Sequence, residues 1–210
     1  DFKPHFCINA SAYTAVDLAE KEPEKAFAVN AEGVANLAEA CEEYNCVLIH
    51  VSTDYVFDGE TNISYSEDNF TNPQGVYGAS KLKGEELATD INPKTIVIRT
   101  SWLYSEFNKN FVKTMLNLFS QKDELGIVAD QSGQPTNAND LAEAIMKIIE
   151  TEPKTYGIFH FSNYPETTWF EFAQKIAEFS GSKIKLNAIT TEDFPTPAKR
   201  PKRSTMCLDK

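Results

Sequence analysis

Three short apolar runs, FCIN (6–9), CVLIHVS (46–52) and TIVIRTS (95–101), are spaced along the first half of the chain with helical patterns between them. Runs this short, with few polar interruptions, read as strands whose two faces are both covered, as in a parallel sheet. Parallel neighbours cannot be joined by a tight turn and need a crossover, usually a helix. Residues 23–44 supply one: Ala26, Phe27, Val34, Leu37, Ala38 and Cys41 recur at helical spacing opposite acidic residues, and Pro23 suits a first helical turn. The segment 72–88 supplies another, with Leu82, Leu87 and Ala88, the helix-favouring Glu85 and Glu86, and Pro and Gly residues at its entry turn. The alternation predicts an α/β chain built on a doubly wound parallel sheet. Beyond residue 104 the texture changes. A helix is expected around 108–121, then a short strand, a turn-rich loop and a helix from Asn139 or Asp140. A strand at 157–162 and an amphipathic helix over 168–181, closed by Gly181, precede a Pro-rich basic stretch, DFPTPAKRPKRS.

At 210 residues and 41% hydrophobic, the chain can bury a core as one domain, or one domain with a small lobe. A net charge of −11 argues against nucleic acid, whose phosphates call for a basic surface. No run approaches the ~18 apolar residues of a membrane span, and the start, DFKPHFCINAS, lacks the pattern of a signal peptide. Cys7, Cys41, Cys46 and Cys207 have no zinc spacing; Cys41 and Cys46 lie in or beside apolar segments and read as buried free thiols, which fits a reducing cytoplasm. His5, His50 and His160 are scattered, so no metal site is expected.

In open α/β sheets, ligands bind beyond the carboxyl ends of the strands. The three ends here read NASAYT (9–14), STDYVFDG (52–59) and RTSWLY (99–104). Tyr77 and Lys81 in YGASK lie four apart, on one face of their helix. Thr53 ends the neighbouring strand, where that helix could bring Tyr77 alongside it. A hydroxyl, a phenol and an ammonium at one strand edge suit reduction of a carbonyl, which needs a proton donor as charge develops on its oxygen. A free phenol titrates near pH ~10. An ammonium ~4 Å away would stabilise the phenolate by up to ~4 kcal/mol, or about 3 pKa units, so Lys81 is expected to bring Tyr77 towards neutrality.

The motifs NASAYTAVDLAE, STDYVFDG, YGASKLKGE, RTSWLY, DQSGQPT, the LA pair at 141–142 and PAKRP fall in order across nearly the whole chain. Together they resemble the dTDP-4-dehydrorhamnose reductase family of the extended short-chain dehydrogenase/reductase superfamily. The resemblance implies a Rossmann-like fold and NADPH- or NADH-dependent reduction of dTDP-4-dehydro-6-deoxy-L-mannose to dTDP-L-rhamnose for cell-surface polysaccharide. By position, it implies Tyr77 as proton donor, Lys81 as the group that tunes it and bonds the nicotinamide ribose, and Thr53 as the holder of the substrate carbonyl. Ala12, Tyr13 and Thr14 would line the cofactor; Thr53, Asp54 and Trp102 would contact the deoxyhexose. Asn30 matches an Asn that supports the lysine in the wider superfamily, and Arg200 is a candidate for nucleotide phosphate. Residues 1–105 would be the later part of the dinucleotide-binding domain, and 106–210 mainly a small α+β substrate lobe, with some segments returning to the sheet. One departure stands out: the nine glycines contain no GxGxxG for the pyrophosphate. The chain therefore reads as a fragment without the N-terminal Gly-rich strand–turn–helix, and inactive alone. The choice of NADH or NADPH, a role for magnesium, and a homodimer are left open. A related nucleotide-sugar epimerase or dehydratase is the alternative enzyme. A non-catalytic subunit resembling the beta subunit of methionine adenosyltransferase is the alternative binding module, disfavoured by the intact Thr53, Tyr77 and Lys81.

Overall fold

The computed structural model describes residues 3–210; Asp1 and Phe2, at the head of the expected 1–105 unit and of the start read as lacking a signal peptide, lie outside them. In chain order, β1 (Phe6–Asn9) is followed by α1 (Val16–Ala19), α2 (Pro23–Phe27), a π-helical turn at Ala28–Glu32, and α3 (Gly33–Glu43). β2 (Val47–Thr53) runs into a short 3-10 turn at Asp54–Val56, and α4 (Val76–Ile91) leads to β3 (Thr95–Thr100). The remainder comprises β4 (Leu103–Tyr104), α5 (Phe111–Phe119), β5 (Glu124–Val128), β6 (Ser132–Gly133), β7 (Thr136–Asn137) and α6 (Ala138–Glu150). It ends with β8 (Gly157–His160), β9 (Thr167–Thr168), α7 (Trp169–Ser180) and β10 (Lys185–Ile189).

The main sheet is parallel, in the order β1-β2-β3-β8. Its registers pair Asn9 with His50, Thr53 with Thr100, and Arg99 with His160. Successive side chains along a strand point to opposite faces. Leu48 packs with Val34, Ala38, Cys41, Cys46 and Ala88 beneath α3 and α4. Ile49 packs with Ile96, Ile98, Leu141 and Ile145 beneath α6. Burial of each such aliphatic side chain is worth about 1.5–3 kcal/mol, which is what holds the layers together. The same alternation puts His50 and Ser52 on the α4 side, where an aliphatic residue would be the ordinary choice. A further apolar cluster, around Met115, Ile127, Ala173 and Ile176, joins α5 and α7 to the parallel pair β5–β10.

The sequence reading and the structure part company in three places. The helix expected over 23–44 is interrupted by the π-helical turn, whose wider coil brings Asn30 into the interior at 1% exposure. The helix expected from 108 starts at Phe111, because the Asn110 side chain accepts the Lys113 N–H and ends the preceding loop. β10 and the two-residue pairings β4–β7 and β6–β9 went unforeseen; ladders that short carry no periodicity. Helix α7 forms as read: Thr168 and Glu171 make a reciprocal capping box, and Gly181 closes it at φ 67°.

Candidate active site

Helix α4 decides where the site forms. Gly78 lies against the Tyr55 carbonyl, and Gly84 against the Asn30 carbonyl; a Cβ at either would overlap the oxygen. The helix can thus lie against the 3-10 turn after β2 at one point and the π-helical turn at another. Its start is held by Glu20, whose Oε1 accepts the Val76 N–H at 2.8 Å. Farther along, Glu85 is clamped by Arg99 of β3, with Nη2–Oε2 at 2.7 Å and both Nε contacts at 3.1 Å, and it also accepts the Ser52 hydroxyl. Both members of this ion pair are 2% exposed. Losing one partner of such a buried pair costs about 3–5 kcal/mol, so the clamp defines how α4 lies on the sheet.

Thr53, Asp54 and Tyr77 come together at the carboxyl end of β2. Thr53 Oγ1 donates to Asp54 Oδ1 at 3.1 Å and accepts the Tyr55 N–H at 3.2 Å. Burial pushes the Tyr77 phenol up to about 12; hydrogen bonding by Thr53 opposes that rise, and the Asp54 charge adds to it. Asp54 is itself pushed up to about 6 by burial. Ser204 lies close enough to pull it back, yet short of hydrogen-bond geometry, so Asp54 Oδ2 and Ser204 Oγ both stay without a partner. The Tyr77 ring meets Tyr55 edge-on at 5.6 Å. Beside Tyr55 opens a cavity of about 470 Å³, lined in part by Asp17, Phe111, Trp169, Phe194 and Arg200.

Lys81 corrects one expectation. It sits one turn beyond Tyr77 but does not lower the phenol, because its amine is turned into the sheet, donating to the Val51 carbonyl at 2.7 Å and lying 3.3 Å from His50 Nε2. Burial brings Lys81 down to about 8, with Glu85 acting in the opposite sense. Asn30 corrects another. Its amide spans the Tyr13 backbone, accepting from N at 2.8 Å and donating to O at 3.1 Å, and it bonds Ser80 Oγ at 3.0 Å rather than Lys81. It therefore ties the Ala12–Thr14 loop to α4, next door to the lysine. Tyr13 also donates its hydroxyl to Glu22 at 2.7 Å, while Thr14 is exposed.

Trp102 stands apart from this group. Its backbone is left-handed (φ 47°), and its ring stacks on Trp169 at 3.4 Å and covers Gly133, where a Cβ would meet it at 2.6 Å. Arg200 is bonded to Asp17 at 2.8 Å, at the mouth of the cavity. His50, Asn9, Glu85, Tyr55 and Trp169 were missed in the sequence. One signal for His50 was available: an ionisable residue in the middle of an apolar strand run. Cys41 and Cys46 are buried free thiols, as read. Among the described residues, no three His, Cys, Asp or Glu side chains group as metal ligands, and no helix is long and apolar enough to cross a membrane.

The profile of the RmlD substrate binding domain family matches residues 1–210. The chain belongs to this family. Among curated relatives, a dTDP-4-dehydrorhamnose reductase of Aggregatibacter actinomycetemcomitans is 48% identical, over 99% of this chain and 74% of its own length. The crystal structure of a dTDP-4-dehydrorhamnose reductase from Bacillus anthracis, in complex with NADP, superposes with a TM-score of 0.95 at 42% identity, over 99% of this chain and 73% of that one. A Clostridium acetobutylicum dTDP-4-dehydrorhamnose reductase gives 0.94 at 44% identity, over 98% and 72%. The α/β parallel sheet expected from the strand–helix alternation is the fold observed.

Proposed function

We propose that this chain carries the catalytic centre of an NAD(P)H-dependent reductase that converts dTDP-4-dehydro-6-deoxy-L-mannose into dTDP-L-rhamnose, a precursor of cell-surface polysaccharide. The observation that carries the reading is the meeting of Thr53 and Tyr77 at the end of β2, in a chain 48% identical to a protein of that name. A bound nicotinamide would provide the hydride for the carbonyl carbon. The residues present fit its sugar half: a 1%-exposed lysine stands one turn from Tyr77, and the Ala12–Thr14 loop follows β1, the sheet neighbour of β2.

Tyr77 gives its phenolic proton to the carbonyl oxygen, so that C=O becomes CH–OH and the charge passes to the phenolate. Thr53 holds that oxygen through its hydroxyl and lowers the cost of ionising Tyr77. With the ligand-free phenol near 12, a nearby cation is needed, and Lys81 is the one at hand. Ala12, Tyr13 and Thr14 line the nicotinamide side, with Tyr13 fixed by Asn30. Asp54 meets a sugar hydroxyl with its unpartnered Oδ2. Trp102 shapes the sugar side from beyond Gly133, and Arg200 exchanges Asp17 for nucleotide phosphate. In this reading residues 1–105 hold the reacting groups and 106–210 chiefly the substrate lobe, while β8 returns to the sheet. NADPH is favoured over NADH by the NADP-bound relative. The reading places the enzyme in the cytoplasm; magnesium is given no position in it, and a homodimer would be read by sedimentation. The test is mass spectrometry of the product formed by the full-length protein from dTDP-4-dehydro-6-deoxy-L-mannose and NADPH. A product two mass units heavier, with rhamnose configuration, is expected; an isomer of unchanged mass would make the protein an epimerase.

A further inference from the structure

Asn9, His50 and Lys81 form a line of polar side chains from β1 through β2 to α4, at 4%, 0% and 1% exposure. Donors and acceptors along it can be assigned from one end. The backbone N–H of Ser11 can only donate, and it lies 3.2 Å from Asn9 Oδ1, which also takes the Ser11 hydroxyl at 2.7 Å. The amide is thereby oriented, with its NH₂ towards His50 Nδ1 at 3.0 Å. Nδ1 accepts and carries no proton. A neutral imidazole then bears its proton on Nε2, and Nε2 points at Lys81 Nζ, 3.3 Å away. An ammonium has donors only and cannot receive that proton. A free amine can, while still donating to the Val51 carbonyl.

We propose that His50 is a positioning residue for Lys81, wired through Asn9 so that its Nε2–H donates to the lysine nitrogen and holds the buried side chain whenever it is an uncharged, accepting amine. The surroundings agree. On the lysine's own helix, Tyr77 precedes it by one turn and Glu85 follows by one turn, and the Glu85 charge is taken up by Arg99 of β3 and the Ser52 hydroxyl. β2 presents His50, and β1 contributes only the neutral Asn9. Burial holds Lys81 down to about 8 and is the largest cause holding His50 down to about 3, so the ring stays neutral where the lysine is an amine. The opposite wiring, with Nδ1 donating, needs the Asn9 amide turned over and sets its NH₂ against the Ser11 N–H. If Lys81 is the site lysine, as in the reading above, charging it requires the amine to leave His50. Proton uptake and release of the side chain towards a ligand hydroxyl then become one event.

The test uses the labelled, ligand-free chain and two-bond ¹⁵N correlations of the histidine rings. His50 is expected to be neutral and protonated on Nε2 from pH about 8.5 to about 10, where Lys81, titrating about two units below an ordinary lysine, is an amine. His50→Gln offers the lysine a carbonyl, so Lys81 should titrate about one unit higher in that variant. A side chain that merely filled space would leave that titration in place. A ring protonated on Nδ1, an imidazolium within that range, or a Lys81 titration unmoved by His50→Gln overturns the proposal. If the variant does not fold, the parent's ring spectrum decides alone. None of these readings needs substrate, so failure here is distinct from failure of the turnover test.

Discussion

In the proposed reaction Tyr77 gives up the proton, and its replacement is the most direct test of any single residue. Tyr77→Phe removes the phenol oxygen and leaves the edge-on contact with Tyr55. In the full-length protein it should lower kcat at least ~10²-fold with little change in cofactor affinity, from the usual range for general acid catalysis; retention of more than half the activity would remove Tyr77 from that role. Trp102 tests the sugar side. Trp102→Ala should raise KM for the nucleotide sugar and leave KM for NADPH nearly unchanged, and equal rises in both would reduce Trp102 to packing against Trp169. The Tyr77–Lys81 pair was legible in the sequence because spacing along one helix is local information. The lysine's partner was not legible. Which strand residue a buried amine reaches depends on the register of β2 against α4, and nothing in a linear pattern states that. Trp169 escaped notice for the same reason, lying 67 residues from the ring it stacks on (169 − 102 = 67).

Among the elements, α4 links sequence and site most closely. Its two contact glycines were visible as letters, but their purpose depends on the carbonyls of Asn30 and Tyr55 that they meet. Gly84→Ala puts a methyl group against a backbone oxygen that cannot step aside. We expect about 1–3 kcal/mol of destabilisation, read by urea denaturation, together with reduced turnover, since the helix that shifts also carries Tyr77 and Lys81. A fully stable Gly84→Ala variant would mean that α4 tolerates a looser seat. Strands β1, β2 and β3 were read within a residue or two because runs buried on both faces announce themselves. The π-helical turn was not, since Ala28–Glu32 has the composition of ordinary helix. The turn sets the Asn30 amide towards Tyr13, a contact 17 residues away that no local pattern states.

For the whole molecule, pH and charge give two further expectations. His50 and His160 are held down to about 3 and about 4, chiefly by burial, whereas Asp54 is pushed up to about 6. Between pH about 4.5 and about 6 the unfolded chain takes up both histidine protons, and the folded chain holds one on Asp54. The difference is close to one proton in favour of the unfolded state, so stability should rise with pH by about 1.4 kcal/mol per unit across that window. Chemical denaturation at a series of pH values measures the slope, and a flat or falling line would contradict the buried neutral histidines. Calorimetric titration of the 210-residue chain with NADPH should show weaker than micromolar binding. Its nine glycines offer no phosphate turn, and a net charge of −11 repels an anionic dinucleotide; micromolar affinity would refute this. The main sheet carries one more consequence, which concerns synthesis. β8 pairs with β3 although Gly157 follows Ile96 by 61 positions (157 − 96 = 61), and Met206 packs on Val56 and Phe57 from later still. As the chain leaves the ribosome, β3 waits with one edge bare until Gly157–His160 have emerged. Contacts this distant in sequence slow folding and leave apolar strand exposed meanwhile. The nascent chain is thus a natural client for a chaperone that shields strand edges, and a halt in translation before residue 157 would strand it there.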